Sequence, residues 1–143
     1  MEIRKAVSED IKELASLMGE LGYPTTLEQM KVRFHNIEGA SDHYTLVAGY
    51  KGRIVGMIGF HTGFLYSEDG IYVRIIALVV DSSVRSKGIG KLLLAEAENY
   101  ARKLGANGIV LNSGNRSERE HAHQFYKNMG YSAKSTGFVK SLL

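Results

Sequence analysis

Hydrophobic residues recur along this chain with two periods, one typical of strands and the other of amphipathic helices. Residues Met1–Ala6 predict a short first strand, and Ser8 and Asp10 are suited to cap a following helix. The apolar positions of that helix share one face: Ile11, Leu14, Leu17, Met18 and Leu21. A second helix is predicted to start near Thr26.

A hairpin and a central strand come next. Residues Tyr44–Ala48 and Ile54–Phe60 are rich in apolar residues and flank a turn-type connection over residues 50–53. Residues 67–70, with the sequence Ser-Glu-Asp-Gly, form a turn signal ahead of the apolar run Ile75–Val80. We therefore expect a pair of hairpin strands followed by the central strand of a sheet.

After the central strand, the period changes to that of a helix over Ile89–Leu104, and Gly105 is a natural C-cap for it. Gly108–Leu111 is short and apolar and predicts the next strand. Because a helix joins them, we expect Ile75–Val80 and Gly108–Leu111 to pair in parallel through a right-handed crossover.

A last helix is predicted from about Ser117 to Asn128, closed by Gly130. Its apolar face carries Ala122, Phe125, Tyr126 and Met129. The remaining tail, Tyr131–Leu143, predicts two further strands around a turn at residues 134–137.

Length and composition indicate an ordinary globular protein. With 143 residues, we predict a single domain over residues 1–143. The 18 Lys and Arg exceed the 15 Asp and Glu, a mild excess that suits an anionic ligand. No basic block supports nucleic-acid binding. The chain has no Cys, which excludes a disulfide, a thiolate zinc site and a Cys nucleophile.

The sequence shows no targeting or membrane signal. Residues Met1–Lys5 lack the apolar region of a signal peptide, and the longest aliphatic run, Ile75–Val80, is far shorter than a membrane span. We therefore expect a cytoplasmic protein with no membrane partner. His121 and His123 fall on different faces of the predicted helix, so no metal site is expected.

Residues 79–91, between the central strand and the next helix, carry the strongest chemical signal. Gly88 and Gly90 let the backbone approach a bulky group closely. Three positive charges, on Arg85, Lys87 and Lys91, stand at the helix start, whose N–H groups and dipole favour anions. This segment predicts a phosphate-binding turn.

Two common phosphate motifs do not fit this turn. A P-loop requires Gly, four residues and then Gly-Lys-Ser/Thr, but Arg85 stands at the first glycine position and Leu92 follows Lys91. A dinucleotide fingerprint needs a third glycine where this chain has Leu93, and no opening βαβ unit precedes it. The structural alternative is a glycine turn with a basic rim and no ligand.

The remaining pattern, Arg85-x-x-Gly88-x-Gly90, resembles the acyl-coenzyme A signature of the GCN5-related N-acetyltransferases, the GNAT family. The predicted order β-α-α-β-β-β-α-β-α-β-β is similar to that family over essentially the whole chain. The resemblance implies an α/β (α+β) GNAT fold. Its mixed, mostly antiparallel sheet would have about 6–7 strands with a splayed parallel pair, flanked by about four helices. It also implies an acetyl-CoA-dependent N-acetyltransferase acting on a primary amine of a small molecule, a lysine or a chain N-terminus.

The same resemblance implies which residues contact acetyl-CoA. Pantetheine lies between the splayed strands in the family, and by position Leu78 and Val80 offer backbone contacts to it. Asn112 matches a position that holds pantetheine or an ordered water, or it is a turn residue. The guanidinium of Arg85 has an alternative reading as a solvated loop charge. The implied cofactor-binding residues are Leu78, Val79, Val80, Arg85, Ser86, Lys87, Gly88, Ile89, Gly90, Lys91, Asn112 and Tyr126.

Acetyl transfer also needs a proton for the departing thiolate. Residues His123–Tyr131 resemble the family stretch whose second aromatic residue is the tyrosine near the thioester sulfur, which implies Tyr126 as the general acid. A phenol with a pKa of about 10 is suited to a thiolate leaving group. Taken without the resemblance, a tyrosine on an apolar helix face is more often a core residue.

The sequence does not identify which residue acts as the general base. Many family members place a glutamate on the central strand or its neighbour, where this chain has Tyr72 and Arg74. The candidates are Glu68, Asp81, His61 and, through a water molecule, Ser113.

The sequence does not identify the amine that accepts the acetyl group. Family acceptors dock against regions that correspond here to residues 20–26, 61–70 and 134–138. Glu20, Glu68 and Asp69 could receive a cation such as a polyamine, an aminoglycoside or a lysine, although acidic loops are also common for solubility. A non-catalytic acyl-CoA-binding sensor module is the alternative function. A homodimer through exposed β edges in the tail is a further expectation.

Overall fold

The computed structural model describes residues 1–113 and 120–143, and within them it assigns five strands and four helices. The strands are β1 (Glu2–Lys5), β2 (His43–Tyr50), β3 (Arg53–Phe64), β4 (Ile71–Val80) and β5 (Ala106–Leu111). The helices are α1 (Ile11–Leu21), α2 (Leu27–Glu38), α3 (Ile89–Lys103) and α4 (Glu120–Asn128). The chain forms two compact units, Met1–Val110 and Leu111–Leu143.

The five strands form one mixed sheet in the order β1-β2-β3-β4-β5. The first four are antiparallel to their neighbours. The β2–β3 hairpin closes over Lys51 and Gly52, whose φ angles of 51° and 80° give the left-handed turn that suits strand twist. Because α3 carries the chain across from β4, β5 joins the sheet as the parallel neighbour of β4, and the predicted parallel pair is confirmed.

One face of the sheet packs against α1 and α2. Leu14 and Leu17 of α1 and Phe34 of α2 are 1–3% exposed, as their helical spacing requires. They meet Met57 of β3 and Val79 of β4 in one apolar cluster. This cluster fixes the side of the sheet on which the two helices lie.

The opposite face packs against α3. A methyl group added at Gly56 of β3 would lie 3.1 Å from Leu93 and 3.3 Å from Ile89, so glycine lets α3 approach the strand closely. Further along, the ring of Tyr100 meets the edge of Phe60 with centroids 5.9 Å apart. Helix α3, which begins at the predicted phosphate turn, is therefore held along its length by the sheet.

The predicted helix ends are largely confirmed. Thr26 caps α2 by accepting from the backbone of Gln29, whose side chain accepts in return from the backbone N–H of Thr26. Gly22, with φ of 105°, ends α1. Asp10, however, does not cap α1 through its side chain.

The Asp10 carboxylate instead closes a buried polar contact between β1 and the start of α1. It accepts two hydrogen bonds from the Arg4 guanidinium, at 2.8 and 3.0 Å, and one from the backbone N–H of Val7 at 2.8 Å. Its side chain is 5% exposed. The hydrogen bond from Arg4, followed by the one from Val7, lowers the pKa of Asp10 below its ordinary value of 3.8.

The second unit corrects one prediction. Residues 131–143 contain no strand, so the sheet has five strands and not the expected 6–7. From residue 138 onward the apolar residues come as adjacent pairs, Phe138-Val139 and Leu142-Leu143, and not with the period of two that a half-buried strand needs. All four are more than 90% exposed. The predicted start of the last helix at Ser117 lies outside the described residues.

Two other findings bear on function. No helix in residues 1–113 or 120–143 is long and apolar enough to cross a membrane. The same residues include no group of three or more His, Asp or Glu placed to hold a metal ion.

We predict that Asp10→Asn lowers the free energy of unfolding by about 1–3 kcal/mol, because it weakens a charge-assisted pair at a buried position. The folded pKa of Asp10 lies below the unfolded one, so its contribution is present above about pH 4 and is lost as the pH falls through the folded value. Urea unfolding between pH 2 and 7 should show a shallower acid loss in the variant. Glu9→Gln, at the exposed residue next to Asp10, is the control and should change stability by less than about 0.5 kcal/mol. Equal effects of the two changes would contradict the assignment.

Candidate functional site

The chain leaves β4 through a turn that is anchored at Asp81. The Asp81 backbone N–H donates to the Val55 carbonyl at 2.8 Å, continuing the contact with β3. Its carboxylate accepts from the backbone N–H and the hydroxyl of Ser83, both at 2.9 Å, and from Arg53 at 3.0 Å. These donors, the backbone of Ser83 first, lower the pKa of Asp81. The carboxylate therefore stays ionised and serves as the anchor of the turn.

A second anchor comes from Glu20 near the end of α1. Its carboxylate accepts from the Ser82 hydroxyl at 2.9 Å and lies 3.8 Å from the Arg85 guanidinium. Arg85 also donates from Nε to the Val80 carbonyl at 3.4 Å. The guanidinium thus contacts the protein itself, and Arg85 fixes the path of the turn as well as adding charge to it.

Helix α3 starts in an open, donor-rich conformation. Ser86 and Gly88 have φ angles of 67° and 77°, in the left-handed region, and the helix follows immediately at Ile89. Ile89 is 2% exposed and anchors the first turn in the core. No side chain caps this end and no acidic residue lies in its first turn. The first N–H groups of α3 are therefore available to an anion.

The surroundings of this helix start fit a phosphate group. Ser86, Lys87, Gly88 and Lys91 are exposed. A methyl group added at Gly88 would meet no atom within 4 Å, so the space in front of the helix is clear. The positive end of the helix dipole and two lysines act in the same direction.

The strand residues predicted to contact pantetheine lie next to a β-bulge. The β3–β4 register shifts after Ala77, which faces Gly59, to Ile75, which faces Phe60, so Ile76 is an extra residue. Leu78 and Val80, opposite Ile58 and Gly56, share the α3 face of the sheet, and Val79 lies in the core against α1 and α2. A bulge bends its strand and often adjoins an active site.

The predicted residues Asn112 and Tyr126 belong to the second unit. Asn112 is exposed, and its side chain lies close to Gly137. Tyr126 is half-buried on α4 and packs edge-on against Phe125 and Tyr131, with ring centroids 5.3 and 5.9 Å apart. Within this unit, the ring of Tyr126 is held by aromatic contacts on two sides.

The candidate bases differ in how they are held. Asp81 is committed to its turn, and its lowered pKa makes it a weak base. Glu68 lies on the exposed connection between β3 and β4. His61 of β3 has its Nδ1 atom 3.0 Å from the Thr62 carbonyl, an acceptor, so the Nε2 atom carries the lone pair. Ser113 is half-buried.

Sequence reasoning missed the contacts that Arg53 and Glu20 make with the turn. Both lie far along the chain from the turn that they hold, so no local pattern identifies them. The Asp-Ser-Ser sequence at residues 81–83 is a local signal, because an aspartate readily binds the backbone two residues on. The Ile76 bulge was also missed, since the apolar run through it is continuous.

Comparisons with known proteins agree with this geometry. A family model described as the acetyltransferase (GNAT) family matches residues 9–131. The aminoalkylphosphonate N-acetyltransferase of Salmonella typhimurium is 34% identical, over 99% of this chain and 91% of its own. A GNAT family acetyltransferase structure from Staphylococcus aureus is 33% identical, covers 99% of this chain and 98% of its own, and has a TM-score of 0.84. An aminoglycoside N-acetyltransferase solved in complex with CoA shares the fold, at 15% identity, 99% and 95% coverage and a TM-score of 0.84.

We predict that Gly88→Ala lowers the free energy of unfolding by about 1–2 kcal/mol, because an L side chain is strained at φ of 77°. Gly108→Ala is the matched control, since its added methyl group also meets nothing within 4 Å but its φ lies outside the left-handed region. That control should be neutral or slightly stabilising. Urea unfolding measures both, and an equal loss in the two variants would mean that strain at residue 88 is not the cause.

Proposed function

Because this chain belongs to the GNAT family of acetyltransferases, we propose that it transfers the acetyl group of acetyl-CoA to a primary amine by direct attack. The chain is an acyltransferase, and acetyl-CoA is the acetyl donor in its family. The observation that carries the proposal is the uncapped start of α3, which opens directly beyond β4 with clear space in front of Gly88.

In this proposal, the turn and α3 hold the pyrophosphate of the coenzyme. The backbone N–H groups of residues 88–91 donate to the phosphate oxygens, and Lys87 and Lys91 add charge attraction. Arg85 keeps the turn in shape through Glu20 and Val80. Beyond the turn, Leu78 and Val80 offer backbone groups to pantetheine and to the thioester oxygen, where a fixed donor stabilises developing negative charge.

Tyr126 acts as the general acid. The amine nitrogen forms a bond to the acetyl carbon, the carbon–sulfur bond breaks, and the phenol gives its proton to the sulfur. The proton that the amine nitrogen loses passes to a base or to water, which balances the step. The aromatic contacts with Phe125 and Tyr131 support this role, because they limit the directions in which the ring can turn.

The base must act on an amine that arrives mostly protonated, since alkylamines have pKa values of about 10. Glu68, His61 and, through a water molecule, Ser113 are the candidates that the turn does not engage. A bound water next to any of these side chains would relay the proton equally well. We therefore propose that one of them, or a water that it holds, accepts the proton.

The acceptor is proposed to be a small molecule. The relative from Salmonella typhimurium is named for aminoalkylphosphonates, which are small primary amines, and it matches this chain over almost its full length. That likeness favours a free amine over a protein lysine.

The first test is thermal unfolding with and without acetyl-CoA, together with thiol release from a panel of amines. Ligand at about 100 times its dissociation constant should stabilise the protein by roughly 2.7 kcal/mol. Gly90→Glu should abolish this stabilisation through bulk and charge repulsion, whereas Gly19→Glu, at a helix glycine of α1 with open space around it, should retain it. Retained binding in Gly90→Glu would remove the site assignment. Stabilisation without thiol release would favour a sensor module.

We predict that Tyr126→Phe binds acetyl-CoA normally but turns over about 10²–10⁴-fold more slowly, because the phenolic proton is lost while the ring is kept. Steady-state thiol release with a fixed amine measures kcat, and the melting shift reports binding. Tyr50→Phe, at the end of the β2–β3 hairpin, is the control and should leave kcat unchanged. An unchanged kcat in Tyr126→Phe would make the tyrosine a packing residue.

A further inference from the structure

A row of three side chains crosses the sheet close to the Ile76 bulge. His43 of β2 lies directly opposite His61 of β3, and His61 lies directly opposite Arg74 of β4. Directly opposed residues point to the same face, with Cβ atoms about 4.5–5.5 Å apart. The His43–His61–Arg74 row therefore presents two imidazoles and a guanidinium side by side.

The row lies on the α1 and α2 face of the sheet, beyond the apolar cluster. Met57 belongs to that cluster, and His61 is four residues further along the same strand, so both point to one face. His43, His61 and Arg74 are all half-buried. The row thus places polar side chains on the same face as the apolar cluster, further along the strands.

The two histidines are fixed in orientation. The Nδ1 atom of His43 lies 2.8 Å from the Asp42 carboxylate, and that of His61 lies 3.0 Å from the Thr62 carbonyl. Both partners are acceptors, so each Nδ1 carries a hydrogen. The rings stack with centroids 4.9 Å apart. One nitrogen of each ring, the Nε2 atom, is left for contact with a ligand.

Arg74 has no acidic partner in residues 1–113 or 120–143. Its guanidinium instead lies over the ring of Tyr72, 5.9 Å from the centroid. The Tyr72 ring itself rests on Gly63, where an added methyl group would come within 2.8 Å of it. Glycine at that position therefore fixes the platform on which the arginine lies. A half-buried guanidinium held this way, without a carboxylate, is set up to bind an anion.

The row is also within reach of the transfer site. Arg74 precedes Leu78 by four residues, and a strand rises about 3.3 Å per residue, so their Cα atoms are about 13 Å apart along β4. Rotation of the Arg74 side chain away from Tyr72 would bring its guanidinium toward Leu78, and a short acceptor would span the remainder. The bulge at Ile76 lies between the two positions.

We propose that the His43–His61–Arg74 row binds an acidic group of the acceptor, so that the acceptor is a small primary amine that also carries an oxyanion. This inference rests on the proposed function and names its substrate class. The geometry favours this class over the cationic acceptors expected from the sequence, because Glu20 is engaged by Ser82 and Arg85, while Arg74 repels a cation.

The test compares matched amines in the thiol-release assay. The panel pairs 2-aminoethylphosphonate, O-phosphoethanolamine and β-alanine with ethanolamine and propylamine, which have an amine but no acid. We expect at least roughly tenfold higher kcat/KM for the best acidic amine, as a charge-assisted bidentate contact implies. The order among phosphonate, phosphate ester and carboxylate identifies the acid. Equal rates for acidic and neutral amines would overturn the proposal.

The residue test uses Arg74→Gln, with Arg102→Gln as the matched control. Arg102 is an exposed arginine of α3 that donates a hydrogen bond to Asn99, three residues earlier on the same helix. Arg74→Gln should raise KM for the acidic amine roughly tenfold to a hundredfold and leave neutral amines unchanged, and Arg74→Lys should recover part of the loss. Arg102→Gln should behave as the wild type. Slower reaction of acidic and neutral amines alike in Arg74→Gln would overturn the subsite.

A binding measurement tests the proposed subsite separately from the proposed acetyl transfer. Ethylphosphonate has no amine and cannot react, so its stabilisation of the protein in a thermal melt reports the subsite alone. We expect stabilisation in the wild type and in Arg102→Gln and its loss in Arg74→Gln. No stabilisation of the wild type, or the same stabilisation in Arg74→Gln, would overturn the proposal whether or not any amine reacts. Failure of the proposed function would appear separately, as no melting shift with acetyl-CoA and no thiol release.

Discussion

The candidate site depends on how the chain leaves β4, and the Asp81 carboxylate controls that exit. By accepting from Ser83 and Arg53, it holds the turn against the start of β3, while Glu20 holds the same turn against α1. Because the left-handed residues Ser86 and Gly88 follow at once, the position of the α3 N-terminus is set by these contacts and by the buried Ile89. An anion site formed by backbone groups needs such support, since its donors have no side-chain freedom of their own.

The Ile76 bulge links this exit to the rest of β4. On the exit side of the bulge, Leu78 and Val80 face α3; on the other side, Ile75 faces α3 through its partner Phe60. One extra residue therefore changes which side chains point to each face of the strand. Arg74 reaches the α1 and α2 face for that reason, where a strictly alternating strand would place it with Leu78 and Val80. The position of Arg74 opposite His61, and with it the His43–His61–Arg74 row, is thus a consequence of the bulge.

Much of the fold could be predicted from the sequence, because its signals are local. The hairpin at Lys51-Gly52, the Thr26 cap and the apolar face of α3 each depend on residues a few positions apart. The phosphate turn could be predicted from the sequence for the same reason, although its role in binding phosphate stays a prediction. The contacts of Arg53 and Glu20, the bulge and the His43–His61–Arg74 row depend on register between strands and on packing between distant segments, which no local pattern encodes. The prediction of two strands in residues 131–143 was wrong, because the apolar residues from 138 onward do not alternate with polar ones.

The two proposed anionic groups can occupy one site because β4 separates them. The coenzyme pyrophosphate would lie beyond Val80 and the acid of the acceptor at Arg74, six residues back along the strand, or about 20 Å. This distance exceeds the Debye length of about 8 Å at physiological salt, so the two charges repel each other weakly in solvent. Between them, β4 carries the apolar residues Ile76, Ala77 and Leu78, beside which the thioester and the amine would meet. In this proposal the ligands are therefore ordered by charge along β4, with the coenzyme phosphates beyond Val80, the acid of the acceptor at Arg74 and the reacting atoms between them.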